Sequence, residues 1–255
     1  MLNYIKSEFF RMAHNRNLHI AVGACGALMI VLVVVLKLFS KDPAFSYANT
    51  KFALSNIYMN MGTLLIVTVV MSAFMHGDED KQHTIKHSVS FGIKRSTIYI
   101  GRFFVQMAVS CLIYVVLVSL FTVASYLLLP HSNLGELESL IRVSIGGCTC
   151  LIAALSVTHY FSMSVESQHA ATVGPLAIVV LVAVPYILNT LGRKVEVFRI
   201  VGGFFPASAI DTGSSLVSGG ADVMQGVVSA LLIGAVWTIV FCILGIRKFN
   251  RLEVK

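Results

Sequence analysis

The chain has 255 residues, of which 56% are hydrophobic and only 12% charged; its mean hydropathy is +0.83. Soluble domains carry about 25% charged residues, so a soluble globular domain is excluded, and repeated apolar runs of about 20 residues define a polytopic α-helical membrane protein. The formal charge of +7 does not point to nucleic acid, because the basic residues sit mainly at the ends of apolar runs, where they set topology.

Residues 1–19 are polar and amphipathic. Leu2, Ile5, Phe9 and Met12 recur at helical spacing with Lys6, Arg11 and Arg16 off that stripe, which predicts a helix lying in the membrane interface. The first span is Ile20–Leu38, and its Gly23-Ala24-Cys25-Gly26-Ala27 patch suits close helix approach. Asn56–Met75 is the second span and Phe103–Leu129 the third, the latter long enough to cross with tilt. Spans four to six are Ile141–Phe161, Ala170–Leu191 and Val223–Ile246. The whole chain reads as one transmembrane domain, 1–255.

Six spans put both termini on one side. Lys6, Arg11, Arg16, Lys81, Lys86, Lys94, Arg95, Arg102, Arg247, Lys248, Arg251 and Lys255 fall on that side, against Lys37, Lys41, Lys51, Arg142, Arg193, Lys194 and Arg199 opposite. Positive charge concentrates in the cytosol, so both termini are predicted inside and the protein is predicted multi-pass in the plasma membrane. The segment 192–222 then lies outside. Within it Val197–Ile210 is apolar but too short to span and is interrupted by Gly202-Gly203 and Pro206, which predicts a broken re-entrant or interfacial hairpin before the last helix.

Chemistry is sparse. Within the six spans Lys37 and Arg142, each at an end, are the two charged side chains. A charge at the bilayer centre costs roughly 2.5–3.5 kcal/mol on insertion scales and is kept for relays and coupling, so an ion-driven carrier and an intramembrane hydrolase are both disfavoured. His159 and His169 can pair, although a hydrogen-bonded interfacial His is the simpler reading, and His83 and His87 have no further partner for a metal. The five cysteines lie in apolar runs, and Cys148-x-Cys150 directs its thiols to different sides of a helix. With no Gly-rich phosphate loop present, the chain binds no cofactor by itself.

The informative stretch is Gly77–Arg102, the long basic segment between spans two and three. Asp78, Glu79 and Asp80 favour a helix start and basic residues its end. Residues 84–89 are predicted to form a short surface helix that Ser90-Phe91-Gly92 breaks, with Lys94-Arg95-Ser96 leading into the next helix. Such a helix docks in a groove of a soluble subunit; the alternative is a solvated basic loop that only fixes topology.

This layout resembles the membrane subunits of ABC-2 type ABC transporters over essentially the whole chain. In the family's motif an acidic residue precedes a Thr-centred helix, a Pro-containing break, and then Arg and a Gly-Lys pair entering span three. Glu79, Thr84, Ile85, Lys86, Arg95, Gly101 and Arg102 match in order, with Arg for the final Lys, His83 for the usual Gly and Phe91-Gly92 in place of the Pro break. The size resembles permeases of lantibiotic and peptide-antibiotic immunity. The resemblance implies an exporter of two permeases, identical or related, and two cytoplasmic ATPase subunits that carry the ATP and Mg²⁺. It further implies ATPase coupling through Glu79, Lys81, Thr84, Ile85, Lys86, Val89, Arg95 and Arg102. The uncharged spans suit an amphiphilic or hydrophobic cargo, with Tyr58, Ser110, Tyr114, Ser119 and Tyr126 as pathway residues. A non-transporting scaffold or sensor subunit, or an exporter of a lipid or small hydrophobic drug, shares the same topology.

Overall fold

The structure, a computed structural model, describes residues 2–41, 45–76, 88–131, 135–164, 172–218 and 223–251. These residues are overwhelmingly helical, with no strand among them. The amphipathic lead is α1 (Leu2–Ala13), and α2 (Arg16–Phe39) follows it as the first span, capped by the Asn15 side chain, which accepts from Leu18 N.

The second span is not one straight helix. It is built from α3 (Thr50–Met59) and α4 (Thr63–His76), bent by 68°, and it begins six residues before the predicted Asn56. Asn49 caps α3 through its side chain, and Thr50 is tied to the end of the third span by two bonds to Pro130 O. At the break, Thr63, Leu64 and Leu65 N–H donate to the carbonyls of Asn60, Met61 and Gly62. These three-residue bonds satisfy groups that an unbroken helix would have bonded one residue further back. A Cβ at Gly62 would lie 2.8 Å from Asp211 Oδ1, so a larger residue there would push that carboxylate aside.

The third span, α5 (Arg95–Leu128), starts eight residues earlier than its apolar run and carries the polar segment into the bundle. The fourth, α6 (Gly135–Ser164), is the central helix. Its apolar window is 61% buried, against 11% to 22% for the other four long spans. The hydrophobic core therefore forms around its faces, with Leu54, Met61, Leu65 and Val69 of the second span, Leu181, Ile210 and Ala230 packed on Leu140, Val143, Cys150 and Val157. Small residues let the last span come close to it: a Cβ at Gly234 would strike the Thr149 backbone, and one at Gly146 would sit 3.3 Å from Ala230 Cβ.

The fifth span, α7 (Val173–Leu191), contains a π-helical turn at Val179–Ala183. Pro185 explains it. The imino ring has no N–H for the carbonyl four residues back and clashes with it, so the helix widens for one turn, and Val184 N–H reaches back to Val179 O.

The hairpin expected before the last span is present as α8 (Glu196–Gly203) and α9 (Pro206–Ser218). Gly192 abuts the Arg199 backbone and Gly202 abuts Asn189, so α8 folds back along α7. The break at Phe204-Phe205 lies level with the middle of α10 (Val223–Arg251), where Trp237 Nε1–H donates to Phe204 O at 2.8 Å. Phe205 packs on Trp237, whereas Phe204 remains 63% exposed. Only one of the adjacent phenylalanines is therefore shielded by the fold.

Candidate functional site

Two places in the bundle concentrate polar or cavity-lining side chains. The first is the end at which α1, the start of α5, the end of α6 and the end of α10 meet. The chain enters it at 88–90, one helical turn that closes with a glycine cap. Gly92 has φ +79°, Gly92 N–H donates to Val89 O, and Ile93 N–H donates to Ser88 O. This paired bonding with a left-handed glycine is the Schellman ending of a helix, and Val89 and Ile93 supply its apolar contact. They pack on Tyr4, Ile98, Tyr99, Met163 and Phe249. The break expected at Ser90-Phe91-Gly92 is thus where the helix stops. Phe91 is left 83% exposed at the tip, a residue that sequence reasoning used only as part of the break.

Arg102 and Arg95 fasten this end. Arg102 is 2% exposed, and its Nε–H donates to Tyr4 Oη (3.0 Å) and to Glu8 Oε1 (3.1 Å). Glu8, itself 3% exposed, also receives Arg11 at 2.6 Å. Burial pushes the Glu8 carboxyl up, but the Arg102 and Arg11 charges outweigh it and hold the group below the ordinary 4.5. Burial also raises the Tyr4 phenol to about 12, with Arg102 opposing and Glu8 adding to the rise. The Tyr4 ring covers Gly101, where a Cβ would lie 3.0 Å from it, so Gly101-Arg102 forms a seat for α1. Arg95 reaches the end of α10, with Nη1–H donating to Asn250 O at 3.4 Å. Beneath them lies buried His159. It donates from Nε2 to Tyr99 O (3.3 Å), and its Nδ1 is bonded to the Gln106 side chain (2.9 Å). It is the hydrogen-bonded His of the simpler reading; His169 lies outside the described residues. Glu79, Lys81, Thr84, Ile85 and Lys86 also lie outside them.

The α1 face that docks takes in only half of the apolar stripe. Tyr4, Glu8 and Met12 are buried, while Leu2 is 69% exposed and Phe9 and Phe10 are also exposed. Ile5 also packs against the protein, and Asn3, Lys6 and Ser7 are exposed, so the docked face mixes polar and apolar side chains.

The second place is a cavity of about 590 Å³ between α2, the bent second span, α5 and α6. One face of the bent span supplies Phe52, Asn56, Asn60, Leu64, Thr68 and Met71; α2 supplies Leu28, Leu32 and Val35. Those three α2 residues are also exposed, so the cavity opens on the α2 side. Among the described residues no charged side chain lines it. Of the expected pathway residues, Ser110 and Tyr114 line the cavity, and Tyr114 Oη–H donates to Met61 Sδ at 3.4 Å. Tyr58 turns to the opposite face of α3 and donates to Glu136 Oε2 at 2.9 Å. Ser119 is exposed and Tyr126 packs at the core's edge, and neither lines the cavity. Among the described residues no group of three His, Cys, Asp or Glu is placed to hold a metal.

Among the described residues, five long apolar helices and one bent pair make this an all-α polytopic membrane protein. The chain belongs to the ABC-2 family transporter proteins, whose family model matches residues 4–185. It is therefore the membrane permease part of an ABC transporter, and the family implies ABC ATPase partners. The match runs from α1 into α7 and ends before the hairpin. No curated protein matches the chain.

Proposed function

We propose that this chain is the membrane half of an ATP-driven exporter that moves an amphiphilic or hydrophobic cargo out of the membrane or cell. ATP and Mg²⁺ sit on two separate cytoplasmic ATPase subunits, and the permease works as a pair with an identical or related copy. Both termini and the 77–102 segment face the cytosol. The cavity carries this reading: it is large, open to one side and free of charge, so it favours apolar groups by the area they remove from water and holds no fixed ion that would favour a small charged solute. A lantibiotic or other antimicrobial peptide, handled for immunity or resistance, fits this chemistry and the family resemblance.

Coupling in this scheme passes through Glu79, Lys81, Thr84, Ile85, Lys86, Val89 and Arg95, with Phe91 as an exposed anchor on the ATPase side. Arg102 acts one step further in. It joins the segment to α1, so closure of the ATPases on the loop moves the start of α5 and the interfacial helix together.

Reconstitution with an ABC ATPase partner in vesicles tests this. ATP must drive a labelled amphiphilic peptide across the bilayer, and Glu79→Arg, or a Gly/Ser linker replacing 84–89, must release the ATPase from the complex. Export and ATPase retention unchanged in both variants would end the proposal, and a chain that retains no ATPase is a scaffold or sensor instead.

A further inference from the structure

Cys111 on α5 and Cys148 on α6 face each other with their sulfurs 4.0 Å apart. Both are free and half-buried, and both line the open apolar cavity. Cys150 turns to the other side of α6, its Sγ 3.4 Å from Ala230 O, so the helix presents only one of its two thiols to α5. We propose that Cys111 and Cys148 form a dithiol site for trivalent organoarsenicals, entered from the cavity.

Distance, charge and access each favour this ligand class. Bonds from sulfur to a heavier acceptor are about 2.3 Å long, as in zinc thiolates, so one atom between the thiols reaches both across 4.0 Å without displacing either helix. In the reaction two As–S bonds form and two As–OH bonds break. Each hydroxyl leaves as water with one thiol proton, and no oxidation state changes. The product is neutral, whereas a monovalent soft cation on two thiolates leaves a negative charge in an apolar wall, which is costly. An uncharged aryl arsenical also enters an apolar cavity of about 590 Å³ without shedding a hydration shell.

The test uses the full chain in lipid nanodiscs with phenylarsine oxide, read by intact mass and peptide mapping. One arsenical per chain should persist against excess monothiol and be removed by 2,3-dimercaptopropanol. Chelation makes the second bond intramolecular, so Cys111→Ala and Cys148→Ala should each weaken retention about a hundredfold, while Cys25→Ala and Cys150→Ala retain it. Mapping needs no variant: in the native chain the arsenical must join the peptides that hold Cys111 and Cys148. Linkage of another pair, an adduct that survives loss of either thiol, or no retained adduct overturns the proposal. The readout is binding, so it stands or falls separately from the export reading.

Discussion

The two regions of this bundle are held by opposite means. At the α1 end, a buried carboxylate meets two guanidinium groups at hydrogen-bond distance, one of which also donates to the Tyr4 phenol, and a glycine-capped turn sits on an aromatic floor. Around the cavity there is nothing directional except scattered hydroxyls, amides and thiols. Directional buried pairs fix one geometry, because breaking them strands a charge. An apolar wall tolerates many occupants of similar volume. The first region suits a lever and the second a container, and each contrast can be broken separately.

The largest effect should come from Arg102→Ala. It leaves Glu8 buried without its α5 partner, and removing one member of a buried pair costs about 3–5 kcal/mol. The expected result is release of α1 from α5, measured as faster proteolysis at Lys6 and Arg11, with Glu8→Gln/Arg102→Gln recovering part of the loss. Failure of Arg102→Ala to change α1 protection would show that the pair does not hold the helix.

Acid should reproduce this in the native chain. The folded Glu8 pKa lies below its unfolded value, so the contribution is complete above the ordinary carboxylate range and is lost as pH falls through the depressed folded value. A fluorescence-transfer pair on α1 and α5 should therefore stay together through the ordinary carboxylate range and separate only at pH below it. In Glu8→Gln that acid-driven change should vanish.

Smaller is Gly92→Val, which places a β-branched residue at φ +79°. The left-handed region costs an L-residue roughly 1–2 kcal/mol, which should loosen the turn and lower ATPase recovery on co-purification without altering the melting of the bundle. Smallest in stability is Leu32→Trp, at an exposed wall of the cavity. Surface changes of this kind stay within about 0.5 kcal/mol, yet export should fall because the container is filled, while basal ATPase activity persists. Unchanged export would separate the cavity from the pathway.

Much of the frame was legible in the chain because the membrane imposes it. A run of about 20 apolar residues must become a helix when no water is available to its backbone, so the spans could be located, and Pro206 with Gly202-Gly203 marked the hairpin. The glycine cap at Gly92 was legible as a break for the same local reason: one residue type tolerates that φ. The docking face of α1 was not. The apolar stripe Leu2, Ile5, Phe9 and Met12 was the visible pattern, but it divides: Ile5 and Met12 turn inward beside Tyr4 and Glu8, which meet Arg102, while Leu2 and Phe9 face away.

The bend at residues 60–62 was hidden because a short polar interruption (Asn60, Gly62, Thr63) also occurs in unbent spans. Asn60 and Gly62 permit the bend, and the Asp211 carboxylate of α9, 149 positions beyond Gly62 in the numbering, fills the space beside the glycine.

The sequence alone determined that this chain lives in a bilayer, roughly where it crosses, and that one basic segment between crossings stands apart, because solvation of the backbone and of charge is decided residue by residue. Only the tertiary structure decided which residues meet: Glu8 with Arg102, Asp211 with Gly62, Cys111 with Cys148, and the walls of the cavity. Those pairings depend on how whole helices pack, and helix packing is settled by the shapes of many distant side chains together, not by any local pattern.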